Sequence, residues 1–167
     1  SIGPDVKIGD RTEIGPNVYI QARTVVGEDC RVFHGASIGG DPQITDVRDV
    51  HSSVEIGDGT IIREFATIHR SARENKKTIV GNGCLIMAYV HLAHDCVIGN
   101  EVVIVNGTEL SGHIIIGDRA FISGMVGAHQ FVRFGKLSMT GGMSRIVKDV
   151  LPFCVVEGSP ARLIGAN

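Results

Sequence analysis

A six-residue repeat is the feature that most constrains the fold of this chain. Aliphatic residues stand at every sixth position from Ile2 to Ile38, from Ile56 to Ile68 and from Val80 to Ile122. Residues six positions apart lie about 120° apart around an α-helix, so the repeat does not define one helix face. A strand alternates with a period of two, which divides six. The repeat therefore predicts short strands joined by tight corners.

Glycine adds a longer period of eighteen residues. Gly81, Gly99, Gly117 and Gly135 are spaced by eighteen, so three hexads make one coil. A glycine directly after the aliphatic residue, often followed by Asp or Asn, is expected to form many corners because these residues tolerate turn conformations. The pattern predicts an all-β fold, a parallel β-helix of triangular section. A sandwich of short strands is the alternative, but it does not explain the strict register.

Composition agrees with a narrow prism and excludes several functions. The 167 residues include 22 glycines and no tryptophan, so the core is expected to consist of small and aliphatic side chains. A net charge of −2 without a basic block argues against a nucleic-acid partner. The nearly uncharged stretches are shorter than the roughly 20 residues that cross a bilayer, so no integral membrane segment is predicted.

The four cysteines contain no CxxC pair. Cys30, Cys84, Cys96 and Cys154 are expected to be reduced, buried side chains of a cytoplasmic protein. A disulfide pair is the alternative.

Two interruptions and a fading end divide the chain. The repeat is broken at about 40–53, which is polar, and at about 71–78, which is charged. Both segments are predicted to be loops outside a β-helix that spans residues 1–150, with residues 151–167 as a C-terminal tail. Long loops on a rigid solenoid often carry function, although a tolerated insertion is the alternative.

Histidines recur near one edge of the folded repeat. When the chain is wound at eighteen residues per coil, His91, His94, His113 and His129 fall close together. His69 joins them if the second loop adds about six residues to its coil. Imidazole is the side chain suited to proton transfer near neutral pH, so this edge is the candidate site.

The local sequence favours His94 as a general base. Asp95 follows it and can orient the imidazole, while Gly112, eighteen residues later, is expected to lie directly above with an unobstructed N–H for an oxyanion. Two alternatives stay open. The histidines could bind zinc, or they could be hydrogen-bonded at the corners of a purely structural solenoid.

Five segments carry a resemblance to a known family. They are Gly-Asp-Pro-Gln (40–43), Ile-Arg-Glu-Phe-Ala-Thr-Ile-His-Arg (62–70), Met-Ala-Tyr-Val-His-Leu-Ala-His-Asp-Cys (87–96), Leu-Ser-Gly-His (110–113) and Gly-Ala-His-Gln-Phe (127–131). With them the chain resembles the acyl-carrier-protein-dependent UDP-N-acetylglucosamine O-acyltransferases, which begin lipid A synthesis in Gram-negative bacteria. The hexads alone indicate only the broad hexapeptide superfamily.

The resemblance implies a left-handed parallel β-helix and a cytoplasmic homotrimer with its active site between neighbouring subunits. It implies transfer of a 3-hydroxyacyl group from acyl carrier protein to the 3-hydroxyl of UDP-N-acetylglucosamine. In that reaction His94 is the base, Asp95 orients it and the Gly112 N–H holds the oxyanion. No cofactor and no metal are expected. A related protein that acts on a 3-amino nucleotide sugar is the alternative.

The resemblance assigns further residues by position. Those expected to bind the substrate are Gln43, His69, His91, His113, His129, Gln130 and Asn167. Those expected to line the acyl-chain pocket are Met139 and Gly142, and a side chain in place of Gly142 would shorten the channel.

The chain departs from the family pattern in two places. Family members usually continue Gly-Asp-Pro-Gln with Asp-Leu-Lys, whereas Ile44, Thr45 and Asp46 follow here, so the contacts of that lysine are not carried over. The family also has a C-terminal helical domain that this sequence lacks, so we expect a longer protein. Arg133 and Lys136 are candidates to meet an acidic carrier protein, with solvated surface charge as the alternative.

Overall fold

The computed structural model describes residues 1–21, 23–47 and 49–167. These residues form strands and no helix, and so none of them belongs to a helix able to cross a membrane. The strands are β1 (Lys7–Ile8), β2 (Glu13–Ile14), β3 (Tyr19–Ile20), β4 (Val25–Val26), β5 (Arg31–Val32), β6 (Ser37–Gly40), β7 (Ser53–Ile56), β8 (Ile61–Ile62), β9 (Thr67–His69), β10 (Lys77–Val80), β11 (Leu85–Ile86), β12 (His91–Leu92), β13 (Val97–Ile98), β14 (Val103–Ile104), β15 (Glu109–Leu110), β16 (Ile115–Ile116), β17 (Phe121–Ile122), β18 (Gly127–Ala128), β19 (Arg133–Phe134), β20 (Met139–Thr140), β21 (Arg145–Ile146), β22 (Cys154–Gly158) and β23 (Ala161–Ala166).

Three parallel sheets form the faces of a triangular prism. Face A contains every third strand from β1 to β19, face B every third strand from β2 to β20, and face C every third strand from β3 to β21. Each strand pairs with the strand one coil later, as Lys7 does with Val25 and His91 with Glu109. The predicted coil of three hexads is therefore confirmed. The corners between successive faces are called the AB, BC and CA edges.

The core is a column of inward-facing aliphatic side chains. The second residue of most two-residue strands points inward, and Ile20, Ile62, Leu92 and Ile104 are fully buried. The first residue of each strand faces outward because side chains alternate along a strand. Near the start of the chain, Ile2 is 54% exposed.

The glycines of the AB edge have a different role from the one predicted. In the hexad that begins at Ile98, the left-handed φ of 54° belongs to Glu101 and not to Gly99. A Cβ on Gly99 would lie 2.5 Å from Asp118 Oδ1 and 2.8 Å from Asp118 N. The prediction that these glycines provide the turn conformation is wrong. Glycine is required there because successive coils approach too closely for a side chain.

Side chains that follow these glycines form a hydrogen-bond ladder along the AB edge. The backbone N–H groups of Glu28, Asp58, Asn82 and Asn100 donate to Oδ1 of Asp58, Asn82, Asn100 and Asp118, over 2.8, 2.8, 2.9 and 2.7 Å. Each Asp or Asn satisfies a corner N–H of the preceding coil, which the strands leave unpaired. The ladder therefore holds the coils in register at this edge.

Two insertions leave the prism at the CA edge in successive coils. The first occupies residues 41–52, between β6 and β7, and the second residues 70–76, between β9 and β10. Ser37 pairs with Thr67, thirty residues later, and Thr67 pairs with His91, twenty-four residues later. Relative to the regular eighteen, the first loop adds twelve residues and the second six. The second value is the excess that places His69 beside the other histidines.

Part of the predicted tail forms two strands, β22 and β23. β22 lies parallel to β20 on face B, and β23 folds back antiparallel to β22. An unpaired sheet edge presents free N–H and C=O groups, so the edge of β20 can recruit a further strand without the hexad pattern.

The four cysteines are free thiols. Cys30, Cys84 and Cys96 are buried in the prism and Cys154 is half-buried. Burial raises the pKa of the Cys96 thiol to about 12, so it is protonated and unreactive at neutral pH.

We expect Gly99→Ala to lower the free energy of unfolding by about 1–3 kcal/mol, because the new Cβ would push the coils apart. Thermal or urea unfolding measures this. Gly127→Ala is the matched control, since a Cβ there meets nothing within 4 Å. Equal stability of the two variants would contradict the close-packing explanation of the glycine column.

Candidate active site

The CA edge gathers the predicted catalytic residues, because each of its corners follows a strand of face C. His94 and Asp95 follow β12, Gly112 and His113 follow β15, and Gln130 follows β18. In-register pairing of these strands stacks the corners one above another. Residues eighteen positions apart in the sequence are therefore neighbours in space.

His94 and Asp95 form a hydrogen-bonded pair at this edge. His94 Nδ1 lies 2.8 Å from Asp95 Oδ2. A carboxylate only accepts hydrogen bonds, so Nδ1 carries the proton and the neutral ring keeps Nε2 as a proton acceptor. This is the tautomer that a general base needs.

Asp95 is a buried carboxylate that stays ionised. Its side chain is 1% exposed. Burial by itself raises the pKa of Asp95, but hydrogen bonds from Ser71, His94, Ala72 and Arg73 outweigh burial and lower the pKa to about 2. At neutral pH Asp95 is therefore an anion that can both orient the His94 ring and stabilise a positive charge on it.

Gly112 lies against the His94 ring from the next coil. A Cβ on Gly112 would come within 2.7 Å of His94 Nε2, so only glycine leaves the imidazole in place. The Gly112 N–H donates to no protein group among the described residues. At the AB edge the equivalent N–H of Asn100 is occupied by the Asp118 side chain. The CA edge thus leaves a free N–H donor beside the proposed base, as an oxyanion site requires.

An open cavity of about 280 Å³ adjoins this group, between the first loop and face C. It is lined by Gln43, Ile44, His91, Ala93, His94, Glu109, Leu110, Ser111, Gly112 and Gln130. A second cavity of about 270 Å³ shares Glu109 and Ser111 and continues to His129 and Arg145. The two cavities make one groove along the outer side of face C.

His91 is a neutral histidine in the groove. Its Nδ1 lies 2.8 Å from Thr67 Oγ1, and its ring packs edge-on against His69 at 5.1 Å between centroids. Burial, with a smaller contribution from His69, lowers the pKa of His91 to about 4. His69 does not line the groove but contacts the Asp41 carbonyl through Nδ1, which ties the first loop to face C.

His113 flanks the His94–Asp95 pair. Its ring packs edge-on against His94 at 5.0 Å and stacks on Phe131 at 4.6 Å between centroids. Burial lowers the pKa of His113, although the charge of Asp95 opposes that effect. His129 lies farther along the groove. It follows β18, whereas His94 follows β12, so the coil of β15 separates the two histidines.

Three predicted residues lie away from the groove. Met139 is on face B, Gly142 is at the BC edge, and Asn167 follows β23, where its Nδ2 donates to the Leu137 carbonyl over 2.9 Å. A Cβ on Gly142 would meet Gly124 O at 3.5 Å, an ordinary contact, so coil stacking does not require glycine there. Within one chain, the residues predicted for the acyl-chain pocket and the predicted catalytic pair lie in different parts of the prism.

Sequence reasoning missed Arg70, Ser71 and Glu109. Arg70 is buried, and its Nε donates to Asp41 Oδ1 over 3.0 Å, which anchors the first loop. Ser71 donates to Asp95 over 2.5 Å. Glu109 lines both cavities, and burial raises its pKa. Their positions in the repeat could have indicated these residues. Arg70 and Ser71 directly follow a strand of face C, and Glu109 stands eighteen residues after His91.

The zinc alternative has a candidate group in His94, Asp95 and His113, whose ligand atoms lie within 4.8 Å of one another. The oxygens of Asp95 already accept hydrogen bonds from four donors, and one of these donors is the Arg73 guanidinium. A cation held this close disfavours a second one by Coulomb repulsion. The arrangement fits a hydrogen-bonded base better than a metal centre.

Known proteins resemble this chain in sequence and in structure. The family described as bacterial transferase hexapeptide (six repeats) matches residues 77–112. An acyl-[acyl-carrier-protein]--UDP-N-acetylglucosamine O-acyltransferase from Gloeothece citriformis is 52% identical over 137 residues, which are 82% of this chain and 50% of the relative. A UDP-N-acetylglucosamine acyltransferase structure from Bacteroides fragilis has 37% identity and a TM-score of 0.90 and is matched over 99% of this chain and 72% of its own. The chain belongs to the UDP-N-acetylglucosamine O-acyltransferase family.

Family membership confirms the predicted fold class, a left-handed parallel β-helix. The Francisella novicida UDP-N-acetylglucosamine acyltransferase superimposes with a TM-score of 0.97 at 43% identity, over 99% of this chain and 62% of its own. The chain spans about half the length of the curated acyltransferases that it matches. Their names do not favour the zinc-enzyme alternative.

We expect Gly112→Ala to displace the His94 ring and break its hydrogen bond to Asp95 while the β-helix stays folded. Histidine ¹⁵N NMR measures this through the Nδ1 proton of His94, which should lose its carboxylate-bonded signature. Gly165→Ala is the control, because a Cβ there meets nothing within 4 Å. An unchanged His94 signal in Gly112→Ala would refute the packing described for this pair.

Proposed function

We propose that this chain forms the catalytic β-helix of an acyltransferase in lipid A biosynthesis. The enzyme would transfer a 3-hydroxyacyl group from acyl carrier protein to the 3-hydroxyl of UDP-N-acetylglucosamine. The observation that carries the proposal is the His94 imidazole, which is held at Nδ1 by a buried carboxylate and has Nε2 against Gly112 at the border of a groove. The names of the relatives support the same reaction.

The geometry suits attack of a hydroxyl on a thioester. His94 Nε2 takes the proton from the sugar 3-hydroxyl as its oxygen bonds to the thioester carbonyl carbon. Asp95 stabilises the resulting imidazolium, and the Gly112 N–H donates to the carbonyl oxygen as it gains negative charge. When the tetrahedral intermediate collapses, the carbon–sulfur bond breaks, and His94 returns the proton to the departing thiol.

The groove offers neutral polar groups to a nucleotide sugar. Gln43 and Gln130 line it with His91, and the lowered pKa of His91 keeps this ring neutral as both donor and acceptor. His129 lies with Arg145 in the adjoining cavity, where a guanidinium and an imidazole suit phosphate oxygens. His69 and His113 lie beside the groove without lining it and are proposed as further substrate contacts. Asn167 lies away from the groove of its own chain, so it would reach a substrate only from a neighbouring copy.

We propose a homotrimer because the site is incomplete in one chain. Met139 and Gly142 reach the His94 groove only if a neighbouring copy supplies them. Exposed apolar side chains follow the BC edge, where Met125 is 65% and Met143 74% exposed, and Phe121 on face B is 37% exposed. Such a contiguous apolar surface is typical of a protein interface, and a cyclic arrangement repeats the same contact in every copy.

Acyl carrier protein is the proposed donor, and the cytoplasm, where thiols stay reduced, is the proposed compartment. Of the two candidate cations, Arg133 lies in β19, directly after the corner that carries Gln130. Lys136 lies at the AB edge, with its Nζ 5.4 Å from the centre of the Phe153 ring. Arg133 is therefore the better placed to meet an acidic partner beside the groove.

We expect the full-length protein to form an ester product, detected by mass, from UDP-N-acetylglucosamine and at least one 3-hydroxyacyl carrier protein in a series of chain lengths. His94→Ala should lower kcat by about 10²–10⁴-fold, the usual contribution of a general base. His34→Ala, at the BC edge, is the control and should keep full activity. Absence of product with every donor would reject the function. Acylation of a 3-amino nucleotide sugar alone would reassign the acceptor.

We expect light scattering to give three times the chain mass for the full-length protein, and Phe121→Glu to reduce the assembled fraction, because a carboxylate would be buried at the interface. Ile115→Glu is the matched control, since Ile115 is 41% exposed but lies on face A. A monomeric wild-type protein, or equal effects of the two variants, would contradict the proposed trimer.

A further inference from the structure

The second loop surrounds the carboxylate of Asp95 on the side opposite His94. Asp95 Oδ1 accepts from Ser71 Oγ over 2.5 Å and from Arg73 Nε over 3.1 Å. Asp95 Oδ2 accepts from the Ala72 N–H over 3.1 Å and from His94 Nδ1 over 2.8 Å. Three consecutive residues of one loop therefore share the carboxylate with the proposed base.

The loop is itself held in place. Ser71 is fully buried, and its carbonyl accepts from Ser52 Oγ over 2.6 Å, which joins the two loops. The Arg73 N–H donates to Ser71 Oγ over 3.1 Å. The Ser71 hydroxyl donates to Asp95, because a carboxylate can only accept and this contact is much shorter than the 3.4 Å to the Arg73 carbonyl. The donors around the carboxylate are thus pre-arranged and do not depend on bound substrate.

Arg73 differs from the other donors because it brings a full positive charge. Its side chain is 61% exposed, whereas that of its partner Asp95 is 1% exposed. The guanidinium reaches from the solvent side to a buried anion, where Coulomb interactions are stronger than between two exposed groups. Without it, the negative charge of Asp95 would act on the neighbouring imidazoles uncompensated.

We infer that Arg73 is a positioning residue that sets the pH range in which His94 acts as a base. The inference rests on the proposed function. His94 contacts Asp95 on its own corner and His113 from the next coil. His91 and Glu109 line the same cavity, and Arg73 binds the carboxylate of Asp95. The Arg73 charge opposes a second proton on the imidazoles beside Asp95, and it helps to lower the pKa of His113. The Arg73 guanidinium therefore offsets part of the negative charge of the carboxylate that is bonded to His94.

The test is the pH profile of kcat/KM for ester formation by the full-length protein. Arg73→Gln should move the acid limb upward by about half to one pH unit, with activity restored to within about twofold above the limb. Arg73→Lys keeps the charge and should recover most of the original profile, and KM for the nucleotide sugar should stay unchanged. The matched control is Arg119→Gln, because Arg119 is also 61% exposed and also pairs with a carboxylate, but lies at the AB edge.

The outcomes distinguish a failure of the role inferred for Arg73 from a failure of the proposed function. A profile of Arg73→Gln that coincides with wild type, or a loss of equal size at every pH, would overturn the role of Arg73 while wild-type activity upholds the proposed function. A wild-type protein that forms no ester would instead reject the function itself. A shift of the acid limb that also occurs in Arg119→Gln would show a general effect of net charge and would overturn the inference.

Discussion

In-register stacking of coils is the constraint on which the rest of this structure depends. Most strands contain two residues, which is far too few to be stable alone, so each is held by the coils above and below it. Adjacent coils lie about 4.8 Å apart, the spacing of paired strands. At that distance Gly99 has no room for a Cβ, and the corner N–H of Asn100 reaches Asp118 in the next coil. The glycine column and the Asp/Asn ladder are two consequences of one spacing.

The same stacking builds the site. A corner residue is carried to within contact of the residue one coil later, so His94 meets Gly112 and His113 with no dedicated scaffold. The AB edge and the CA edge are geometrically equivalent, and both leave a corner N–H unpaired by the strands. One edge closes that N–H with a carboxylate or amide. At the other edge the position that faces the Gly112 N–H holds Gln130, and among the described residues that N–H has no protein acceptor and is left for a ligand.

The electrostatics of the CA edge depends on one buried anion, the Asp95 carboxylate. Burial opposes the charge of Asp95, and it is overcome by donors from the second loop and from His94. The second loop therefore maintains the charge that orients the His94 ring. Both loops leave the prism at this edge, and Arg70 and Ser52 bind them to each other through a hydrogen bond of 2.7 Å.

Much of the fold follows from the sequence alone, because the sixfold repeat is local and periodic. Ile62, Leu92 and Ile104 could be assigned to the core from spacing, and His94 could be placed under Gly112 by counting eighteen residues. The role of the AB glycines could not be predicted in this way. A glycine is found both where the backbone needs a positive φ and where a neighbouring coil leaves no room for a Cβ, and the sequence does not distinguish the two. The hydrogen bonds from Ser71 and Arg73 to Asp95 could not be predicted either, because they depend on the path of a loop outside the repeat. Periodicity determined which residues stack, while only the tertiary structure decided what the non-periodic segments place against them.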